Sequence, residues 1–270
     1  MTFLSELFNL KNKNVVLTGS AGRLGNKFAH VLSKAGANLI LLDINTSENK
    51  KLEQELTSLY KTNPTAYTID INKPNKMKQL TKKLISKYST IDILINNAHS
   101  VPRKHPKLSE SFEKFPNDIW EIMVTETLRG LFFCTKEIGS VMSKQNRGVI
   151  INISSIYGLV GPDQRIYGKS RLNSPAFYSA TKGAMVNLTK YLASSWKDYN
   201  IRVNTLTLGG VFDKKLHTDK KFVKNYSNKT MIGRMANVDD FDGALLFLTS
   251  DASKYMTGSN LIIDGGWTSW

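Results

Sequence analysis

Short runs of consecutive apolar residues alternate along this chain with longer stretches in which apolar positions recur every three or four residues. The first pattern predicts strands buried on both faces, and the second predicts helices with one buried stripe. Their alternation predicts a parallel sheet with crossover helices. The first strand is Val15-Val16-Leu17, ending at Thr18. The helix after it places Leu24, Phe28, Val31, Leu32 and Ala35 on one face and stops at Gly36. Further strands are expected at residues 39–42, 66–69, 91–95, 149–153, 201–206 and 260–263. Further helices are expected at 47–60, 74–87, 118–145, 176–199 and 238–248. No repeat, low-complexity tract or linker marks a boundary. The expectation is therefore one α/β domain over residues 1–270, a doubly wound parallel sheet of about seven strands with helices on both faces.

Two segments carry neither pattern. Residues 99–117 follow the fourth strand and hold Pro102, Pro106 and Pro116 among mixed charges. Residues 159–175 follow the fifth and are rich in Gly, Pro, Ser and Arg. In an open parallel sheet, ligands bind beyond the carboxyl ends of the strands. Both segments leave the sheet on that edge, and loops of this length are more often functional than idle.

Composition narrows the class. Hydrophobic content of 41% and charged content of 22% suit a globular protein, and no apolar run is long enough for a membrane span. The first ten residues contain Glu6 and lack a secretory leader, and Cys134 is the single cysteine. A cytoplasmic address is expected. His30, His99, His105 and His217 show no ligand spacing, so no metal is expected. The net charge of +15 comes largely from lysines scattered along helical stretches, such as Lys76, Lys78, Lys82, Lys83 and Lys87. They lack the arginine runs and interleaved aromatics of a nucleic-acid surface and read as solvated faces.

The first strand runs into Thr18-Gly19-Ser20-Ala21-Gly22-Arg23-Leu24-Gly25, inside which the helix begins. Glycines there allow a tight turn and close backbone approach, and the helix N-terminus offers N–H groups and a positive dipole end to a pyrophosphate. This is the signature of a Rossmann-type dinucleotide fold. Asp43 ends the second strand, 18 residues after Gly25. Its carboxylate can accept the adenosine ribose hydroxyls and would repel a 2′-phosphate, which favours NAD over NADP. Arg23 can hold such a phosphate or point to solvent. Asp70 and Ile71 close the third strand, where they would meet the adenine.

Tyr178 and Lys182 stand four residues apart at the start of a predicted helix, hence on one face. A phenol ionises near pKa ~10, so proton transfer near neutrality needs a neighbouring ammonium to favour the phenolate. This is the only Tyr-x-x-x-Lys in the chain; Tyr167 has Arg171 at that spacing, which is not interchangeable with lysine. The fifth strand ends Ser154-Ser155-Ile156-Tyr157-Gly158, where a hydroxyl can stabilise oxyanion charge or merely cap the strand.

These motifs together resemble the short-chain dehydrogenase/reductase family over nearly the whole chain. The glycine turn, Asn96-Asn97-Ala98, the Ser-x-x-Gly of Ser155 and Gly158, and Tyr178 with Lys182 carry the resemblance. Arg202-Val203-Asn204, Gly233-Arg234-Met235, Thr257-Gly258 and Asp264-Gly265-Gly266 follow in order. The resemblance implies Tyr178 as acid/base, Lys182 on the nicotinamide ribose and Ser155 on the substrate carbonyl. It implies cofactor support from Asn96, Asn97 and Ala98, and from Gly209 and Val211 after the sixth strand. Several positions depart from the family pattern. The glycines are spaced Gly-x-x-Gly-x-x-Gly, His99 replaces a glycine, and Leu208-Gly209 replaces Pro-Gly. Thr127 takes the place of an asparagine that completes the proton relay. The 23-residue gap from Ser155 to Tyr178 implies an enlarged loop over the site.

The expected reaction is reversible oxidation of a secondary alcohol on a small-molecule substrate. Arg103, Lys104, His105, Lys107, Arg165, Lys169 and Arg171 in the two loops, with His99, suggest a sugar-like or anionic one. Solvated loop charge reads them equally well. The loop and the altered positions also resemble, less specifically, reductases of bacterial surface-glycan and flagellin-modification pathways. The alternatives are a 3-oxoacyl-thioester reductase using NADPH and a non-catalytic dinucleotide sensor. A homotetramer or homodimer is the family's implication.

Overall fold

In a computed structural model, residues 3–99, 106–168 and 173–270 are described. A short helix α1 (Phe3–Leu7) leads through buried Leu10 into β1 (Asn14–Thr18). Then follow α2 (Arg23–Lys34), β2 (Asn38–Asp43), α3 (Thr46–Tyr60), β3 (Thr65–Thr68), α4 (Pro74–Tyr88) and β4 (Ile93–Asn96). The second half comprises α5 (Asn117–Gln145), β5 (Gly148–Ser155), α6 (Ala176–Ser195), β6 (Ile201–Leu208), α7 (Lys220–Ser227), α8 (Asp242–Thr249) and β7 (Asn260–Ile263). The seven strands form one parallel sheet in the order β3-β2-β1-β4-β5-β6-β7.

The continuous apolar runs are explained by the two faces they serve. Val15, Leu17, Leu39 and Leu41 point to a layer with Phe28 and Leu32 of α2, Leu52 and Leu56 of α3, and Leu245 and Leu248 of α8. Val16, Ile40, Leu42 and Leu94 point the other way, onto Met77 and Leu84 of α4 and Ile138 and Met142 of α5. Alternate side chains of one strand leave opposite faces, so a doubly covered strand needs apolar residues at every position.

Most expected elements lie within two residues of their places, with four differences. The helix expected over 176–199 ends at Ser195, because Trp196 folds onto α5, where a Cβ on Gly139 would stand 2.3 Å from its ring; a 3-10 turn at Lys197–Tyr199 follows. The segment 238–248 opens with a 3-10 turn, Val238–Phe241, closed by a capping box between Asn237 and Asp240. The two loops carry 3-10 turns at Pro106–Ser109, Phe112–Lys114 and Gln164–Tyr167. Helices α1 and α7 were not expected at all. Two turns or fewer leave too few apolar repeats to register.

Candidate active site

The carboxyl ends of the strands open into one cleft of about 1020 Å³. Seventeen candidate residues border it: Gly19, Gly22, Arg23, Leu24, Gly25, Asp43, Asp70, Ile71, Asn97, Ala98, His99, Thr127, Ser155, Tyr178, Lys182, Gly209 and Val211. Asn96, Lys107 and Arg165 do not border it. Arg165 is held elsewhere. Its guanidinium lies on the Asp163 carboxylate at 2.8 and 3.0 Å, largely in solvent and off the cleft wall. That carboxylate also takes Lys229 and is held well below the usual range by its bond to Arg165 and then by Lys229. Arg171 lies outside the described residues, as do Arg103, Lys104, His105 and Lys169.

At one end the glycine turn is packed as tightly as a phosphate cradle requires. Gly19 adopts φ +65°, and a Cβ there would stand 2.8 Å from the Ala98 Cα. A Cβ on Gly25 would lie 2.0 Å from the Gly19 carbonyl oxygen. Asn97 braces the turn by donating from Nδ2 to the carbonyls of Thr18 (3.0 Å) and Gly19 (3.1 Å). The Thr18 hydroxyl accepts from the backbone N–H groups of Asn97 and Ala98. Asp43 accepts from Ala21 N at 2.9 Å, tying the end of β2 to the same turn. This compact turn, at a helix start whose Gly22 cap leaves N–H groups free of side-chain partners, fits a dinucleotide pyrophosphate. The exposed Arg23 side chain turns to the Phe212 carbonyl and the Asp213 carboxylate.

Asn96 departs from its expected role. Its Nδ2 donates to Thr135 Oγ1 (3.0 Å) and Asn152 Oδ1 (2.9 Å), and the side chain is buried within the sheet layer. Asn97 is the asparagine of this run that borders the cleft.

At the other end, β5 and α6 are fastened by several bonds. Ser154 Oγ donates to the Lys182 carbonyl at 2.9 Å, and Asn152 Nδ2 donates to Thr189 Oγ1 at 2.8 Å. Gly158 is required because a Cβ there would stand 2.6 Å from the Lys182 carbonyl carbon. Lys182 is 4% exposed, and its Nζ donates to the Ile153 carbonyl at 2.8 Å and lies 5.8 Å from the centre of the Tyr178 ring. Burial pushes its ammonium down to about 8. Ser155 Oγ accepts from Tyr157 N at 3.3 Å, which leaves its O–H to donate into the cleft. His99 packs edge-on against Tyr178, with ring centres 5.1 Å apart. Thr127 Oγ1 is buried without a hydrogen-bond partner among the described residues.

The sequence model of the family described as enoyl-(acyl carrier protein) reductase matches residues 19–268. A 2-dehydro-3-deoxy-D-gluconate 5-dehydrogenase of Bacillus subtilis is 33% identical over 274 residues, covering 100% of both chains. The chain is a short-chain dehydrogenase/reductase. A post-translational flagellin modification protein A of Campylobacter coli is 31% identical over 96% of this chain and 99% of its own. Among solved structures, a gluconate 5-dehydrogenase from Burkholderia cenocepacia in complex with NADP and tartrate superposes with a TM-score of 0.87 and 27% identity, covering 99% of each chain. As a short-chain dehydrogenase/reductase, the protein is an oxidoreductase acting on CH–OH groups with NAD or NADP.

This short-chain dehydrogenase/reductase also lines its cleft with residues that periodicity passed over. Tyr157, Tyr167, Asn173, Leu216, His217, Phe222 and Tyr226 border it. Tyr167, rejected in favour of Tyr178, stacks on Phe222 with ring centres 5.3 Å apart, and burial raises its hydroxyl above the usual phenol range. The available signal for α7 was Asp219, whose carboxylate caps Lys221 N and Phe222 N, with Phe222 and Tyr226 one turn apart. Among the described residues no helix is long and apolar enough to cross a membrane, and no group of three or more His, Cys, Asp or Glu could hold a metal ion.

Proposed function

We propose that this enzyme interconverts a secondary alcohol and a ketone on a sugar-like substrate, with NAD as cofactor. The observation that carries the reading is the single cleft in which the glycine turn and Asp43 stand at one end and Ser155, Tyr178 and Lys182 at the other. A bound nicotinamide would supply or accept the hydride. Ser155 donates to the substrate oxygen, and Tyr178 takes or gives the hydroxyl proton. The buried Lys182 ammonium favours the phenolate by its charge and is held in place by the Ile153 carbonyl. Gly19, Gly22, Leu24 and Gly25 would cradle the pyrophosphate. Asp70, Ile71 and Ala98 would flank the adenosine, and Gly209 and Val211 the nicotinamide end.

Asp43 favours NAD, and the turning of Arg23 to Asp213 supports the same choice by withdrawing the one cation of the turn. For the substrate, the wall offers the hydrogen-bonding groups of Asn173, His217 and Tyr157 beside the aromatic face of Phe222. That chemistry suits a hydroxyl-rich molecule. With Arg165 bound to Asp163, the anionic alternative loses a described partner. The proposal extends to one domain over 1–270 with the loops 99–117 and 159–175 covering the substrate end, to a cytoplasmic address, and to a homodimer or homotetramer. Exposed Phe132 on α5 and Tyr191 on α6 favour the last. A panel of polyols, ketoses, sugar acids and acyl thioesters with NAD(H) and NADP(H), followed near 340 nm, tests the reading. Turnover of polyols or sugar acids with NAD is expected. Activity restricted to 3-oxoacyl thioesters with NADPH would overturn it.

A further inference from the structure

One ion pair reaches across the mouth of the cleft. Arg23 opens α2, and its guanidinium takes both the Phe212 carbonyl and, at 3.4 Å, the Asp213 Oδ2. β1 and β6 are three strand spacings apart in the sheet, roughly 14 Å at ~4.8 Å each. A contact between the turn after β1 and the loop after β6 therefore spans the ends of β4 and β5. Both lips border the cleft: Gly19 and Gly22 on one side, Gly209 and Val211 on the other, with Arg23 and Asp213 themselves.

Asp213 is set for this contact by its own loop. Its Oδ1 accepts from Lys215 N at 2.8 Å, its carbonyl accepts from Leu216 N and His217 N, and its N–H donates to His217 Nδ1 at 2.9 Å. That leaves Oδ2 for Arg23. The base of the loop is pinned, Phe212 N donating to the Ala236 carbonyl at 2.8 Å. The contact is thus made by a rigid turn rather than by a free side chain. Its position matters because the first turn of α2 is where the dinucleotide phosphates are drawn.

We propose that Asp213 is a positioning residue for the cofactor, strapping Arg23 across the cleft mouth so that dinucleotide exchanges only when this ion pair parts. The inference rests on the reading that the cleft takes a nicotinamide dinucleotide. A strap closed with and without cofactor slows admission and release alike and leaves affinity nearly unchanged. A residue with only a structural role would raise release alone as affinity falls.

Stopped-flow fluorescence of NADH binding to the full chain separates these outcomes. In Asp213→Asn, both rate constants should rise about two- to five-fold, the factor that parting one partly exposed ion pair supplies. The dissociation constant should shift by less than about two-fold, and Asp213→Glu should restore slow exchange. Should Asp213→Asn lower the melting temperature, Arg23→Gln breaks the same pair from the helix and must accelerate release likewise. Unchanged rates in a folded Asp213→Asn, or a faster release with a matching loss of affinity, would overturn the strap. A wild-type protein that binds no NADH would overturn the cofactor reading itself.

Discussion

Lys182 carries a charge that its surroundings oppose. It is buried, its ammonium is pushed down to about 8, and its one direct oxygen partner among the described residues is the Ile153 carbonyl. The folded state thus binds this proton less tightly than the unfolded chain, where lysine titrates near ~10.4. Below pH 8 both states are protonated and the cost of burial is fully present. As pH rises from 8 toward ~10.4 the unfolded state holds the extra proton, so stability increases, by on the order of 3 kcal/mol in all. Lys182→Met should abolish that increment. Its melting temperature should match or exceed the wild type at pH 7, with the advantage shrinking by pH 10, while turnover is lost. A Lys182→Met variant with the wild-type pH dependence of melting would refute the assignment. Tyr178→Phe should lower kcat by about 10²–10⁴ with NADH binding retained, as removal of a general acid/base does. Both residues were legible in the sequence because the chemistry demands a fixed spacing on one helix face. The desolvation of Lys182 was not, because it depends on what β5 places above it.

The glycine turn shows what an element's sequence can and cannot say. Its place between strand and helix was readable, as was the need for small residues. Which glycine is indispensable was not. A Cβ on Gly25 would meet the Gly19 oxygen at 2.0 Å, whereas one on Gly161 would meet nothing within 4 Å. Gly25→Ala should therefore abolish NADH binding or destabilise the fold by several kcal/mol. Gly161→Ala should leave both unchanged within about 0.5 kcal/mol. Titration calorimetry and urea unfolding of the two variants read the difference. The same limit hid α7. Its two turns offer Phe222 and Tyr226 as the only buried positions, too few for a period, yet they form part of the cleft wall. Arg165 erred the other way, since a charge in a loop after β5 pointed to the cleft while Asp163, two residues earlier, captures it.

Across the whole molecule, a row of polar side chains, buried except at Asn260, crosses the β4–β7 half of the sheet. Asn96 faces Asn152, which faces Thr205, which faces Asn260 in register, and Thr189 of α6 bonds both Asn152 and Thr205. Breaking the row strands several buried groups at once. Asn152→Leu should cost about 2–4 kcal/mol in urea unfolding. Because the row fixes α6 on β5, the loss in kcat should exceed the loss in cofactor affinity. Equal stability in the variant would remove the row from the account. The sequence by itself determined the strand and helix order, the two-faced sheet, the glycine turn, and the Tyr178–Lys182 pair. Those features rest on local period and spacing, which a linear chain carries intact. Only the tertiary structure decided that Asn97 rather than Asn96 meets the cleft, that Arg23 is bound to Asp213, and that Arg165 leaves the site. Each of these depends on a partner brought close by folding, and the distance between them along the chain holds no record of it.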